Sequence, residues 1–249
     1  MKIILSPAKK MRRDTDALPT ENLPVFFSKA RQVMQYLQSL SSSQLQALWG
    51  CNDAIAKQNV ERLQTMDLEQ GLTPAILSYD GIAYQYMAPA VFEDAHFAYI
   101  QQHLRILSGF YGVLRPMDGV TPYRLEMQAK AHVSGTKNLY EFWGSDLYKQ
   151  VRDPDGVIVN LASKEYAKCI EPYLTPQDTF ITCVFGETVK GKLVQKGTFA
   201  KMARGEMVRY LAEHQIEDPA QMKQFSRLGY HFRPDLSTDM LYTFERIPE

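Results

Sequence analysis

Runs of β-type residues are scattered along this chain rather than gathered in one stretch. They fall at residues 2–6, 157–161, 180–185 and 240–246, with helix-type patterns between them. A strand at the very start can be satisfied only by partners distant in sequence, because a lone strand leaves its backbone N–H and C=O groups unpaired. The two ends are therefore expected to meet in one sheet. No linker, internal repeat or low-complexity tract interrupts residues 1–249. The expectation is a single domain of the α+β class, a mixed α/β unit whose central sheet is surrounded by helices.

The first strand is bounded by Pro7, which cannot donate to a ladder. Residues 11–23 are polar, carry Pro19 and read as an exposed loop. Pro24 opens a helix to about residue 40, with Phe26, Ala30, Val33 and Leu37 near helical spacing. Ser41 and Gln44 match a capping box starting a second helix toward Trp49. A third helix covers 53–66, and Thr73-Pro74 marks another helical start. The spacing of Phe97, Ile100, Leu104 and Leu107 predicts a helix over 94–107, with Gly109 just beyond its end. Tyr140, Trp143 and Tyr148 anchor one over 137–151. After the turn at Asp153-Pro154-Asp155-Gly156, the run at 180–185 leads across Gly186 and Gly191 to 192–195, a hairpin or meander. Helix returns over 199–214, Asp218-Pro219 caps a short one, and 240–246 is a closing strand.

Composition constrains the partner. Lys plus Arg equals Asp plus Glu, 28 of each, so the molecule as a whole exerts no pull on nucleic acid or an anionic membrane; any such binding needs local segregation of charge. Cys51, Cys169 and Cys183 have no CxxC spacing, which argues against a disulfide scaffold or a thiolate zinc site and fits a reducing compartment. Pro7 and Lys9-Lys10 interrupt the opening apolar run too soon for a signal peptide, and nothing approaches the roughly 20 apolar residues that span a bilayer. A cytoplasmic protein without a membrane partner is expected.

Four polar segments stand next to strands or turns: Ser6-Pro7-Ala8-Lys9-Lys10, Tyr123-Arg124-Leu125-Glu126-Met127, Asn160-Leu161-Ala162-Ser163-Lys164-Glu165-Tyr166 and Lys201-Met202-Ala203-Arg204-Gly205. Strand ends and first helical turns commonly line clefts. Lys and Arg bind phosphate, Ser and Asn can hydrogen-bond it, and Glu can act as a base or orient a lysine. Each residue singly is also consistent with an ordinary surface charge. Lys190, Lys192, Lys196, Lys201, Arg204 and Arg209 form a further basic stretch that, with Lys9, Lys10, Arg12 and Arg13, could build a positive groove or an ordinary solvated face.

Leu107-Ser108-Gly109-Phe110-Tyr111-Gly112-Val113-Leu114-Arg115 admits two readings. It has the shape of a helix-hairpin-helix, whose glycines let backbone N–H groups approach a phosphate. Two residues rather than one separate its glycines, and Pro116 limits a following helix, so a plain helix cap and tight turn fits as well. Metal chemistry gains little. His96 and His103 lie on one predicted helix but roughly 10 Å apart; His132, His214 and His231 are isolated, and no HExxH, GxSxG, dinucleotide or phosphate-loop motif is present. No metal or cofactor is expected.

These segments, together with Pro122-Tyr123-Arg124-Leu125-Glu126-Met127, Glu165-Tyr166 and Gly229-Tyr230, resemble the motifs of the YaaA family, in that family's order and over nearly the whole chain. The resemblance implies a bacterial protein of the hydrogen-peroxide response that helps restrain iron-driven damage. It further implies an unusual mixed fold with a helix-hairpin-helix and a positive cleft, and DNA binding to duplex, branched or bubbled forms without sequence preference. No obligate protein partner is implied. Carried onto this chain, the hairpin falls at Gly109 to Gly112, and the DNA-contacting candidates are Lys9, Lys10, Gly109, Gly112, Arg115, Arg124, Asn160, Ser163, Lys164, Lys201 and Arg204. The alternative is an enzyme acting on a nucleic acid or nucleotide, for which Lys9, Glu126, Ser163 and Lys201 are the candidate catalytic groups. Convergence on a closed pocket favours the enzyme; an open groove favours binding. Direct iron sequestration has no paired Glu-x-x-His spacing behind it.

Overall fold

A computed structural model describes residues 1–14 and 18–247. In chain order the strands are β1 (Lys2–Leu5), β2 (Thr73–Pro74), β3 (Leu104–Ser108), β4 (Gly112–Leu114), β5 (Gly119–Val120), β6 (Val157–Asn160), β7 (Thr179–Val189), β8 (Lys192–Val194), β9 (Tyr230–Phe232) and β10 (Leu241–Arg246). The α-helices are α1 (Phe27–Gln38), α2 (Ser42–Trp49), α3 (Asp53–Gln64), α4 (Ala75–Ser78), α5 (Ile82–Met87), α6 (Asp94–His103), α7 (Leu139–Trp143), α8 (Asp146–Val151), α9 (Lys164–Ala167) and α10 (Gly197–Glu213).

The two ends do meet in one sheet, ordered β4-β3-β1-β6-β7-β10-β9, with β8 pairing only β7. β1 sits inside it, parallel to β3 on one side (Ile3↔Leu104) and to β6 on the other (Ile3↔Val159). β6 with β7 and β7 with β10 are parallel as well, while β4, β8 and β9 pair antiparallel. A parallel strand is covered on both faces, so it reads as an unbroken apolar run rather than an alternation. Ile3, Ile4 and Leu5 are accordingly all buried, as are Ile158 and Val159. The expected mixed domain with a central sheet is therefore present. Its central strands are parallel and alternate with helices, so the segregation that an α+β assignment implies is not what the sheet shows.

The helix-hairpin-helix is a correction. α6 stops at His103, and Leu104–Ser108 is a fully buried strand that turns at residues 109–111 and returns antiparallel as β4. Leu104 and Leu107 continue the helical spacing, yet with Ile106 they equally suit a strand buried on both faces, so periodicity alone could not separate the two. The Ser108 Oγ accepts from the N–H groups of Phe110 (3.1 Å) and Tyr111 (2.9 Å), closing the turn, and Gly112 takes φ +77°. This glycine pair serves a buried β-hairpin. A Cβ on Gly109 would lie 2.8 Å from the Leu125 carbonyl oxygen, so glycine lets the hairpin pack directly beneath residues 125–126.

Elsewhere the patterns held or shifted for identifiable reasons. Ser41 and Gln44 form the expected capping box. The helix expected over 137–151 breaks at Gly144, whose φ of +53° ends α7 before α8 begins. Thr73-Pro74 pairs with β5 before α4 starts, and β7 with β8 forms the expected hairpin. The loop expected over 11–23 lies partly outside the described residues.

Candidate anion-binding cleft at the sheet switch point

The chain leaves the carboxyl end of β1 toward β3, and leaves that of β6 toward β7 on the opposite side. Adjacent parallel strands whose connections diverge leave a crevice at their carboxyl ends, where ligands bind in open α/β sheets. A cleft of about 360 Å³ opens at that place. Ser6 to Lys10 reach it from the end of β1, and Ser163, Glu165 and Tyr166 from the end of β6. Asp80 to Ile82 precede and begin α5, Tyr123 to Glu126 cross above the buried hairpin, and Lys201 comes from the second turn of α10.

All four polar segments singled out from the sequence contribute to this one cleft. The loops are tied to each other: Ser163 N–H donates to Ser6 Oγ at 2.8 Å, and the Tyr84 hydroxyl donates to the Ser6 carbonyl at 3.0 Å. Beneath the cleft, the hydroxyls of Tyr79, Tyr123 and Ser108 form a buried chain, 2.8 Å and 2.6 Å between successive oxygens. Burial pushes the Tyr123 phenol up to about 12, so it stays protonated and able to hold this chain.

Four cations and three carboxylates line the space. Lys9 pairs with Glu126 at 2.6 Å and Lys10 with Asp80 at 2.5 Å. The Lys10 contact holds the Asp80 carboxyl below its ordinary range. The Glu165 carboxyl is raised by burial, even though it accepts from Gln128 N–H at 3.1 Å. Arg124 and Lys201 remain. Among the described residues, neither has a carboxylate within 4.0 Å, and the buried Nε of Arg124 has no hydrogen-bond partner. A buried guanidinium N–H left unmade costs about 1–3 kcal/mol or more.

Other candidates fall outside the lining. Asn160 is buried below it, where its Oδ1 accepts from Ala162 N–H at 2.9 Å and shapes the loop that presents Ser163. Gly109 lies in the hairpin under residues 125–126 and Gly112 against Trp143, Leu147 and Phe26, both buried away from the cleft. Lys164 points outward from α9 while its neighbour Glu165 faces in. Arg115 borders a separate hollow with Arg105 and Asp118. Arg204 is packed in α10 near Cys183, its buried Nε also unpartnered, and burial lowers its pKa. Arg12 and Arg13 donate to backbone carbonyls of Leu77 and Gly71, and Lys196 and Arg209 are paired with Glu187 and Glu213. Within the cleft itself, Arg124 and Lys201 are the cations with no carboxylate within 4.0 Å among the described residues.

Asp80 and Gly81 were missed from sequence; a lone Asp-Gly pair reads only as a turn. Among the described residues, no cluster of His, Cys, Asp or Glu is arranged to hold a metal ion, and no helix is long and apolar enough to cross a membrane.

Comparison with known proteins places this architecture. The family model described as peroxide stress protein YaaA matches residues 1–236. A UPF0246 protein of Agathobacter rectalis is 61% identical over 246 residues, covering 99% of each chain. One from Desulfitobacterium hafniense is 54% identical over 244 residues, 98% of this chain and 97% of the relative. One from Limosilactobacillus reuteri is 52% identical over 248 residues, 99% of this chain and all of the relative. Matches of that extent and identity make this chain a member of the peroxide stress protein YaaA family, the UPF0246 proteins.

Proposed function

We propose that the protein serves the peroxide response by binding DNA without regard to sequence, seating a backbone phosphate between Arg124 and Lys201, and in doing so limits iron-driven damage at the DNA. One observation carries the reading: at a switch-point cleft where two of the four cations are neutralised, the remaining two have no carboxylate within 4.0 Å among the described residues, and one carries a buried unmade N–H. A phosphate oxygen is the acceptor that geometry lacks. No base-reading element is required, since phosphate contacts alone supply sequence-independent affinity.

Phosphate-dominated binding releases counterions, so affinity should fall with salt at a log–log slope of about −2 or steeper if both cations engage duplex. Fluorescence anisotropy with two unrelated duplexes should return the same slope for each. A curve that stays flat between about 50 and 200 mM salt would remove this reading.

A second reading is favoured by the convergence of Lys9, Arg124, Glu126, Ser163 and Lys201 on one concave space, the arrangement expected of an enzyme. Lys9 is held by Glu126, which leaves Lys201 as the amine available to a carbonyl such as an abasic sugar aldehyde. Attack on the aldehyde carbon with loss of water gives an imine, which borohydride reduces to a stable amine. Incubation with an abasic duplex and borohydride should then yield a covalent adduct that Lys201→Gln abolishes. No adduct in the unaltered protein removes the imine-forming version of this reading.

A further inference from the structure

The geometry points to the β7–β8 ribbon as a duplex-gripping arm at the rim of the cleft, an inference that rests on the DNA reading above. β7 runs parallel to β6, which runs parallel to β1, so its carboxyl end reaches the same edge of the sheet from which Ser6 and Ser163 enter the cleft. There it outruns its neighbours. Its last residues, 187–189, pair only with β8, in the register Glu187↔Val194, Thr188↔Leu193 and Val189↔Lys192. Lys190 and Gly191 close the turn with φ of 51° and 75°, the two positive values of a tight hairpin connection that follows strand twist.

What the ribbon displays is specific. Lys190 and Lys192 are exposed at its tip, and among the described residues neither has a carboxylate within 4.0 Å. The one acid of the ribbon, Glu187, is taken by Lys196 at 2.5 Å and Arg246 at 3.0 Å at its base. Val189 and Val194 are exposed on the same two strands, at 42% and 41%. A short two-stranded ribbon with cationic tips and apolar flanks fits the major groove of duplex DNA, which admits such a ribbon between its phosphate walls. The chain then passes directly from β8 into α10, whose second turn carries Lys201 into the cleft. Ribbon and cleft are thus two contacts on one continuous segment, and the ribbon is the contact that needs a second strand.

The discriminating measurement compares a duplex of about 20 base pairs with its single strand, using the full chain and Lys190→Gln/Lys192→Gln. Loss of two phosphate contacts should weaken duplex binding about tenfold near 0.1 M salt and make the salt slope shallower by about 2. Single-strand affinity should stay within about twofold. Lys192→Ala alone should shift the duplex slope by about 1, while Lys57→Gln, an exposed residue of α3, should shift nothing. If the unaltered protein binds duplex but both ribbon variants keep its affinity and slope, the ribbon inference is overturned and the cleft reading stands. Equal losses on duplex and single strand also overturn it. If the unaltered protein binds neither at low salt, the DNA reading falls and takes the ribbon with it.

Discussion

Gly205→Ala is expected to destabilise the protein by about 3 kcal/mol, against the sign that helix propensity alone would give. Alanine in place of glycine inside a helix is ordinarily worth about 1 kcal/mol in its favour. Here the added Cβ would stand 1.8 Å from the Ala83 carbonyl oxygen and 2.7 Å from its carbon. Those are backbone atoms of α5, which cannot rotate aside as a side chain would. The two helices must separate, and both are cleft walls: α5 begins at Ile82, beside Gly81, and α10 carries Lys201. A loss of about 3 kcal/mol corresponds to roughly 6–12 °C in Tm for a domain of this size. Thermal unfolding by circular dichroism reads it directly, and if Arg124 and Lys201 hold a phosphate as proposed, DNA affinity should fall with it because Lys201 moves relative to Arg124. A Gly205→Ala protein that melts at or above the original temperature would show that α5 and α10 are not in backbone contact.

The same glycine illustrates how far the sequence could be read. Lys201, Arg204 and Gly205 stood out together as a polar motif opening a helix, but they have three different fates. Lys201 faces the cleft, Arg204 is packed inside and Gly205 spaces two helices. Positions three apart on a helix differ by about 60° around its axis, enough to straddle the boundary between cleft and core, and spacing does not say where that boundary lies. Ser6, Lys9, Arg124, Glu126 and Ser163 were legible because polar groups at strand ends are expensive to bury and commonly line crevices. Asp80 was not. It meets Lys10 only because Met11 bridges to Tyr79, a pairing between segments nearly 70 residues apart with no local mark. The glycines at 109 and 112 carried a true signal of close approach, but sequence could not say whether a phosphate came close or, as here, residues 125–126 at Gly109 and the Trp143 and Leu147 side chains at Gly112. Tertiary packing decided.

Arg124→Gln together with Lys201→Gln should separate function from stability. If these two cations hold a phosphate, duplex affinity near 0.1 M salt should drop about 10- to 100-fold, and the salt slope should become shallower by about 2. A residue whose role is structural would lower the melting temperature when removed. The opposite is expected here. The Arg124 Nε is buried without a partner, so the folded state bears its desolvation cost with no return, and a neutral amide relieves part of it. Lys201 has no carboxylate to leave behind among the described residues, unlike Lys9, whose removal would strand Glu126. Tm should therefore hold or rise while binding falls, the exchange expected where a site is held destabilised for its ligand. Arg204→Met supplies the contrast. It deletes the second unpartnered buried guanidinium N–H, but Arg204 is not itself a lining residue, so the change should raise Tm while leaving the salt slope unchanged. Should Arg124→Gln/Lys201→Gln melt earlier and bind duplex as before, the two cations are scaffolding and the cleft has some other ligand.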